Sequence, residues 1–287
     1  MTAASGGTQR MSKVAQVTTF DGPAAAEAWR RSAGVRAAYM AGTTQMLLDT
    51  AQVGPGARVL AVGAGTGGEA LDAGIRVGPD GHVVATDLSP AMVAEGKATA
   101  VEAGLENIDF QVMNAQRLDF PNASFDAVIS RNVLMFIPDL GVALGEMRRV
   151  LKPSGRIGAT VWSSAVRNPR ISGPLAAARA LGGHPPASAT YRIALHLGRV
   201  ASLRGALRAV GFREIEVASI ALSADYPSLD DAVAGAMEQP GTRELISLLG
   251  DQAAVRMHRS LQRRWTRYRD ESGVHLPGEQ LVAGATP

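Results

Sequence analysis

The chain has no cysteine, little histidine and no strong excess of charge of either sign. Among 287 residues there is not one cysteine, which excludes a disulfide, a thiolate zinc site and a cysteine nucleophile. Histidine occurs five times, so few side chains are left to act as a general base near neutral pH. The formal charge is only +3, from 29 basic and 26 acidic residues, and most runs mix the signs. That balance is no argument for nucleic acid as a partner. No run approaches the roughly 18 uninterrupted apolar residues of a membrane span, and the N-terminus lacks an apolar signal core. These absences predict a soluble cytoplasmic protein with no membrane span. No metal site is read from the sequence.

Hydrophobic residues make up 46% and charged residues 19% of the chain, the profile of a globular protein long enough to bury a sizeable core. The stretch Val59 to Gly68, VLAVGAGTGG, organises the rest. It reads as a buried strand, a glycine turn and the start of a helix at Glu69. In such a turn one glycine lets the chain reverse, another lets backbone approach a ligand, and a third lets the helix pack closely on the strand. His82 to Thr86 reads as a second buried strand. It ends at Asp87, with Ser89 and Pro90 as N-cap and first residue of the next helix. An acid at that tip, about 20 residues past the glycines, can accept both hydroxyls of a ribose. It is also what an ordinary helix N-terminus would carry.

Around these two strands the pattern alternates. A helical region runs from Pro23 to Ala51, with Trp29, Val35, Tyr39, Met46 and Leu47 as candidate buried positions. The chain continues with a helix over Ser89–Ala103 (Met92, Val93, Ala100 and Val101 inward) and strands at Ile108–Met113 and Phe125–Ser130. A helix capped by Asp139 then closes at Lys152-Pro153-Ser154-Gly155, and a strand follows from Arg156 to Trp162. Strands alternating with helices at this spacing predict a parallel sheet with right-handed crossovers.

The blocks VLAVGAGTGG, TDLSPAMV, VMNAQRLDFPNASFDAV and FDAVISRNVLMFIPDLGVALGEMRRVLKPSGRIGATVW, in this order and spacing, resemble the class I S-adenosylmethionine-dependent methyltransferases. The branch they are most similar to holds the ubiquinone and menaquinone C-methyltransferases and many small-molecule methyltransferases. The resemblance is strong over about Ala51–Trp162 and continues faintly through LRGALRAVGFREIEV to QLVAGATP. It implies a Rossmann-like α/β fold: a seven-stranded, mostly parallel sheet with helices on both faces and helical lid insertions. The implied divisions are a disordered leader (1–22), an N-terminal helical cap (23–53), the cofactor-binding core (54–165), a lid insertion (166–200), a core helix with strand six (201–226), a helical insertion (227–275) and a last strand (276–287).

The resemblance also places the cofactor, S-adenosylmethionine. Gly63, Ala64, Gly65 and Gly67 would line its methionine and ribose portions. Asp87 would take the ribose hydroxyls and Leu88 would pack on adenine. Asn114 and Ala115 would lie beside the adenine amine, and Arg131 beneath the methionine moiety. Ala61 stands where the family usually has an acid, and Asn114 where it usually has aspartate. An asparagine oxygen still accepts a hydrogen bond, whereas alanine cannot. Restoring the acid with Ala61→Asp is therefore expected to tighten cofactor binding.

Specificity is expected from the cap and the two insertions. Trp29, Tyr39, Phe136, Trp162 and Tyr191 are candidates for the acceptor pocket, and His184 and His196 for a general base. His82 and His275 read as structural or exposed. A long helix in the second insertion would bury Ala254, Met257, Leu261, Trp265 and Tyr268 and expose Arg256, Arg259, Arg263 and Arg267. That basic face is either an anion site or simply solvated. The implied activity is methyl transfer to oxygen, nitrogen or carbon of a small aromatic or apolar metabolite, of the kind found in secondary metabolism. The alternative is a protein that binds the cofactor without methylating, using it for structure or to assist a cyclisation. Neither nucleic acid nor membrane is an implied partner, and the sequence leaves room for a homodimer.

Overall fold

The computed structural model describes residues 22–31, 33–185, 190–250 and 252–287. The leader read at the N-terminus falls on residues outside this range, apart from Gly22. The chain opens with α1 (Pro23–Arg31), α2 (Ala33–Thr50), β1 (Arg58–Val62), α3 (Gly68–Val77), β2 (His82–Asp87) and α4 (Pro90–Glu102). β3 (Ile108–Val112), β4 (Phe125–Arg131), α5 (Leu140–Val150) and β5 (Leu151–Trp162) complete the first part of the sheet. Then come α6 (Pro169–Ala180), α7 (Thr190–Ala194), α8 (Val200–Ala209), β6 (Arg213–Tyr226), α9 (Leu229–Met237), α10 (Pro240–Leu249) and α11 (Gln252–Trp265). β7 (Arg269–Asp270) and β8 (Gly273–Thr286) end the chain.

The strands lie in the order β3-β2-β1-β4-β5-β8-β6. All pairs are parallel except those of β8, which runs antiparallel between β5 and β6. Side chains alternate across the sheet, so the strands feed two cores. On one face Val59 and Ala61 of β1 and Ala127 and Ile129 of β4 pack against Leu47 and Leu48 of α2, Ala51 just after it, and Ala70 and Ala73 of α3. On the other, Leu60, Val62, Val128 and Ile157 meet Leu144, Met147 and Val150 of α5. Coverage on both faces explains why these strands read as unbroken apolar runs.

Several expectations need correction. The sheet has eight strands rather than seven. The extra one, β7, is two residues long and pairs with the start of β8, too short to leave a period in the sequence. The N-terminal cap is two helices, and Val35 has its side chain outside the described residues. β5 starts at Leu151, so Lys152 to Gly155 is extended chain rather than a closing loop. The cause is the register shift of its partner between Phe125 and Ala127, which lets Leu151 pair before Arg156 does. Val101 is 78% exposed because α4 buries Met92, Val93, Gly96 and Ala100 instead. The second insertion holds three helices. α11 stops at Trp265, with Ala253 rather than Ala254 in the core and Tyr268 half-buried in a 3-10 turn. The four arginines of its other face are solvent-exposed.

Two histidines tie strands together. His82 Nε2 lies 3.0 Å from Asp109 Oδ2 across β2 and β3. At the β6–β8 pairing, His275 Nδ1 is 2.6 Å from Asp225 Oδ1 and its Nε2 is 2.9 Å from Ser272 Oγ. Ser272 Oγ donates to Asp270 Oδ1, so the doubly protonated imidazolium satisfies every partner. The hydrogen bond to Asp225 accordingly raises the His275 pKa. A raised pKa means this stabilisation is complete below about pH 6.5 and is lost as pH rises through the folded value. Thermal unfolding is expected to show a stability loss above pH 6.5 that His275→Gln flattens. Identical pH profiles for the two proteins would refute the latch.

Candidate functional site

The glycine turn at the carboxyl end of β1 is built by its neighbours. Gly67 adopts φ 94°, and a Cβ there would lie 2.7 Å from Phe110 of β3, so this glycine lets α3 settle on the sheet. Gly65 (φ 56°) is different. A Cβ there would meet only Trp29 Nε1 at 3.5 Å, so the indole of α1 stands over the exposed backbone of the turn. The amides of Gly63 and Ala64 donate to Thr86 O at 2.8 and 2.9 Å, which binds the turn to the end of β2.

Asp87 closes the other side. Its Oδ2 accepts from Gly65 N at 2.8 Å and its Oδ1 from Ser89 N at 3.0 Å. The carboxylate thus holds the glycine turn and the α4 cap in one geometry. Leu88 beside it is 55% exposed, an apolar surface open to a flat ligand. At the end of β3, Asn114 Oδ1 accepts from Gln116 N at 2.9 Å, and Ala115 is half-buried next to it.

Arg131 ends β4 on the same face as Ala61. Its Nη2 is 2.9 Å from Glu69 Oε2 and its Nη1 donates to Thr44 Oγ1 at 2.6 Å. The Glu69 side chain is only 4% exposed. Burial pushes its carboxyl above the usual range, against the pull of the Arg131 guanidinium. Arg36 of α2 joins them: it lies 4.3 Å over the Trp29 ring and donates to Trp29 O at 2.6 Å. Burial, then the charge of Arg131, lowers its pKa to about 10. Sequence reasoning missed Glu69 and Arg36. An acid in a first helical turn is ordinary complement to the helix dipole, and nothing near Arg36 marks it.

At the carboxyl ends of β4 and β5, Asn132 takes φ 60°, which asparagine tolerates better than most residues. Its N–H donates to Thr160 O and Oγ1. Trp162 stacks on Tyr39 of α2, centroids 6.3 Å apart and planes 24° apart. Phe136 is half-buried in a 3-10 turn after β4. Tyr191 is buried under α10, its hydroxyl 2.9 Å from both Gln239 Oε1 and Thr242 Oγ1, and burial pushes its pKa up to about 12. It therefore stays protonated and serves as a donor, not a base. His184 and His196 are both solvent-exposed, with His196 Nδ1 2.8 Å from Ile193 O in its own turn.

A parallel sheet whose first strand ends in a glycine turn and whose second ends in an acid defines a Rossmann-like nucleotide-binding protein. The comparisons narrow the class. Residues 60–158 match the family model described as "Methyltransferase domain". The nocamycin O-methyltransferase of Saccharothrix syringae is 34% identical over 197 residues, covering 65% of this chain and 70% of that one. The uncharacterized protein Rv1405c of Mycobacterium tuberculosis is 40% identical over 124 residues, 43% of this chain and 44% of that protein. The alignment thus spans less than half the length of that relative. In fold the chain is similar to the YcgJ protein of Bacillus subtilis, with a TM-score of 0.58 at 19% identity over 85% of this chain and 98% of that one. The chain belongs to the class I S-adenosylmethionine-dependent methyltransferases.

The residues present fit that family's cofactor. Gly65 carries no side chain at the turn under Trp29, Asp87 at the end of β2 would face the ribose hydroxyls, and Leu88, 55% exposed, would pack on adenine. Arg131, held by Glu69 and Thr44, would lie beneath the methionine moiety. The environment of Ala61 alters one expectation, because this residue is 0% exposed within the apolar cluster of Leu47, Leu48 and Ala51. Arg131, two residues beyond the β4 partner of Ala61, is already paired with Glu69. Ala61→Asp is thus expected to destabilise the fold by about 2 kcal/mol or more, measured as a lower urea midpoint. A variant as stable as the parent would show that the site has room for a second acid.

Proposed function

We propose that the protein transfers the methyl group of S-adenosylmethionine to an oxygen, nitrogen or carbon nucleophile of a small aromatic or apolar metabolite. The observation that supports this most is the joint placement of Asp87 against Gly65 in the turn after β1, in a chain of this family. When bound, the cofactor supplies a methyl group already activated on a sulfonium. The protein has then to hold the acceptor in line with it and exclude water. Trp29 covers the glycine turn, while the Tyr39–Trp162 stack provides a flat apolar wall at the end of β5. Tyr191, locked by two hydrogen bonds, fixes α7 against α10. His184 and His196, both exposed, are the candidates to take a proton from a protic acceptor. No helix among the described residues is long and apolar enough to cross a membrane.

The test is methyl transfer followed by mass spectrometry, with hydroquinones, phenols and polyketide-like acids as acceptors and S-adenosylmethionine in excess. A mass gain on one acceptor class, with S-adenosylhomocysteine formed in step, is the expected result. Cofactor binding without transfer to any acceptor would overturn methylation and leave the cofactor a structural or cyclisation-assisting role.

A further inference from the structure

α9 and α11 pack side by side, yet no large side chain fills the seam between them. α9 turns Ala232, Val233 and Ala236 into the core, and α11 turns Ala253, Met257, Leu261 and Trp265. The rows that face each other are left with Ala234, Gly235 and Ala254. A cavity of about 700 Å³ follows, open to solvent and walled further by Met237 and Val255. That volume lies within the roughly 300–1,000 Å³ of small-molecule sites. None of the residues placed around the cofactor or along the Tyr39–Trp162 wall lines it, and no aromatic residue does.

The charged groups at this cavity are not balanced. Its acids are engaged: Glu238 is ion-paired with Arg243, and Asp230 accepts from Gln262 Nε2 at 2.8 Å, a bond that ties α9 to α11 at one end of the groove. The cations are not. Arg259 and His258 line the cavity, and neither makes a hydrogen bond or ion pair among the described residues. Arg256 and Arg263, one turn to either side of Arg259 on α11, are likewise without an acid among the described residues. Like charges at this spacing on one helix repel, and an anion bound at Arg259 relieves that repulsion.

We propose that the groove between α9 and α11 is a second ligand site, which binds a flexible aliphatic chain ending in a carboxylate, that is, a free medium-chain fatty acid. The chain lies against Ala234, Met237, Ala254 and Val255, and the head group sits at Arg259 and His258. A guanidinium fork suits a carboxylate, and the charge selects an acid over an alcohol or an amine. The lining offers no ring face for stacking, while a methionine adapts its shape to a chain. A partner helix fits less well: α9 has nine residues and is about 14 Å long, whereas a stable protein interface takes roughly 800 Å² from each partner. A bilayer fits less well too, because it takes up apolar side chains that project, and here they line a recess. The site does not depend on the methyl-transfer reading.

The experiment is calorimetric titration of the full chain with decanoate below its micelle-forming concentration, with decanol and decyltrimethylammonium as the uncharged and cationic counterparts. One decanoate per chain is expected, with a negative heat-capacity change from burial of the chain. Decanol should bind more weakly and the cation not at all. Arg259→Gln alters an exposed side chain, so it keeps the parent's thermal midpoint. It should weaken decanoate about 3- to 5-fold, the upper range for an exposed ion pair, and leave decanol unchanged. Ala254→Phe fills the groove and should abolish binding of both. Equal binding of decanoate and decanol, no binding of decanoate, or undiminished affinity in Arg259→Gln would each overturn the site. So would either of two other occupants: co-sedimentation with phosphatidylglycerol vesicles in place of decanoate binding, which marks a lipid surface, or a dimer in sedimentation velocity that Ala254→Phe dissociates, which marks a second copy of this chain.

Discussion

Asp87→Ala is expected to lose S-adenosylmethionine and S-adenosylhomocysteine binding by two to four orders of magnitude. The carboxylate ends β2 and accepts from Gly65 N at 2.8 Å and Ser89 N at 3.0 Å, so it presents its charge from a fixed position. Two hydroxyl hydrogen bonds to an ionised acceptor contribute about 1.5–3 kcal/mol each, which converts to roughly 10²- to 10⁴-fold in affinity. A second effect accompanies the first. With the side chain gone, the Gly65 amide loses its acceptor and the turn under Trp29 loosens, so part of the loss reflects reorganisation of the free protein. Asp87→Asn separates the two, since its amide oxygen keeps one acceptor but presents donors at the other position. Calorimetry should rank the parent above Asn and Asn above Ala, with thermal midpoints without ligand falling by only a few degrees. Unchanged affinity in Asp87→Ala would mean that the nucleotide lies elsewhere, and the site described here would have to be abandoned.

Glu69→Ala should be the most destabilising single change in the site. Glu69 is buried, and it neutralises Arg131, whose side chain is only 16% exposed. Removing one member of a buried pair leaves an uncompensated charge and costs about 3–5 kcal/mol. Removing both members with residues of similar volume is commonly close to neutral. Urea unfolding of Glu69→Ala is thus expected to show a lower midpoint at an unchanged slope, whereas Glu69→Met combined with Arg131→Met recovers most of the stability. Cofactor affinity should behave differently: the double variant stays weak because it lacks the positive charge for the methionine carboxylate. A double variant that binds as well as the parent would show that Arg131 is a structural cation only. Additive losses in the two single variants would show that the pair is not coupled.

The pattern of local elements was largely legible in the sequence. The β1 turn, Asp87, the Ser89–Pro90 cap and the Asp139 cap depend on neighbours within a few residues, and backbone chemistry at that range is written in residue type. β7 escaped because a two-residue strand has no period to read. Val101 was misjudged because an apolar residue on a helix declares its face only once the partner helix or strand is in place. Glu69 and Arg36 were not recognisable for a related reason. A charged residue on a helix is usually solvated, and only packing showed that α2, α3 and the end of β4 close over these two.

By itself the amino-acid sequence determined the alternating α/β order, the glycine turn, the acid after β2 and the family these motifs resemble, because each rests on short-range geometry or on motif spacing. The tertiary structure alone decided that Arg131 is held by Glu69 and Thr44, that Trp29 stands over Gly65, and that Ala61 lies in an apolar cluster closed to a second acid. It also decided that Arg170 of α6 stands over the Tyr39 ring of α2 and that Gln280 of β8 pairs with Trp162 across β5. Convergence of that kind depends on which strand ends adjoin and which helices cover them. Desolvation, which makes an unpaired group informative, exists only after the core has closed.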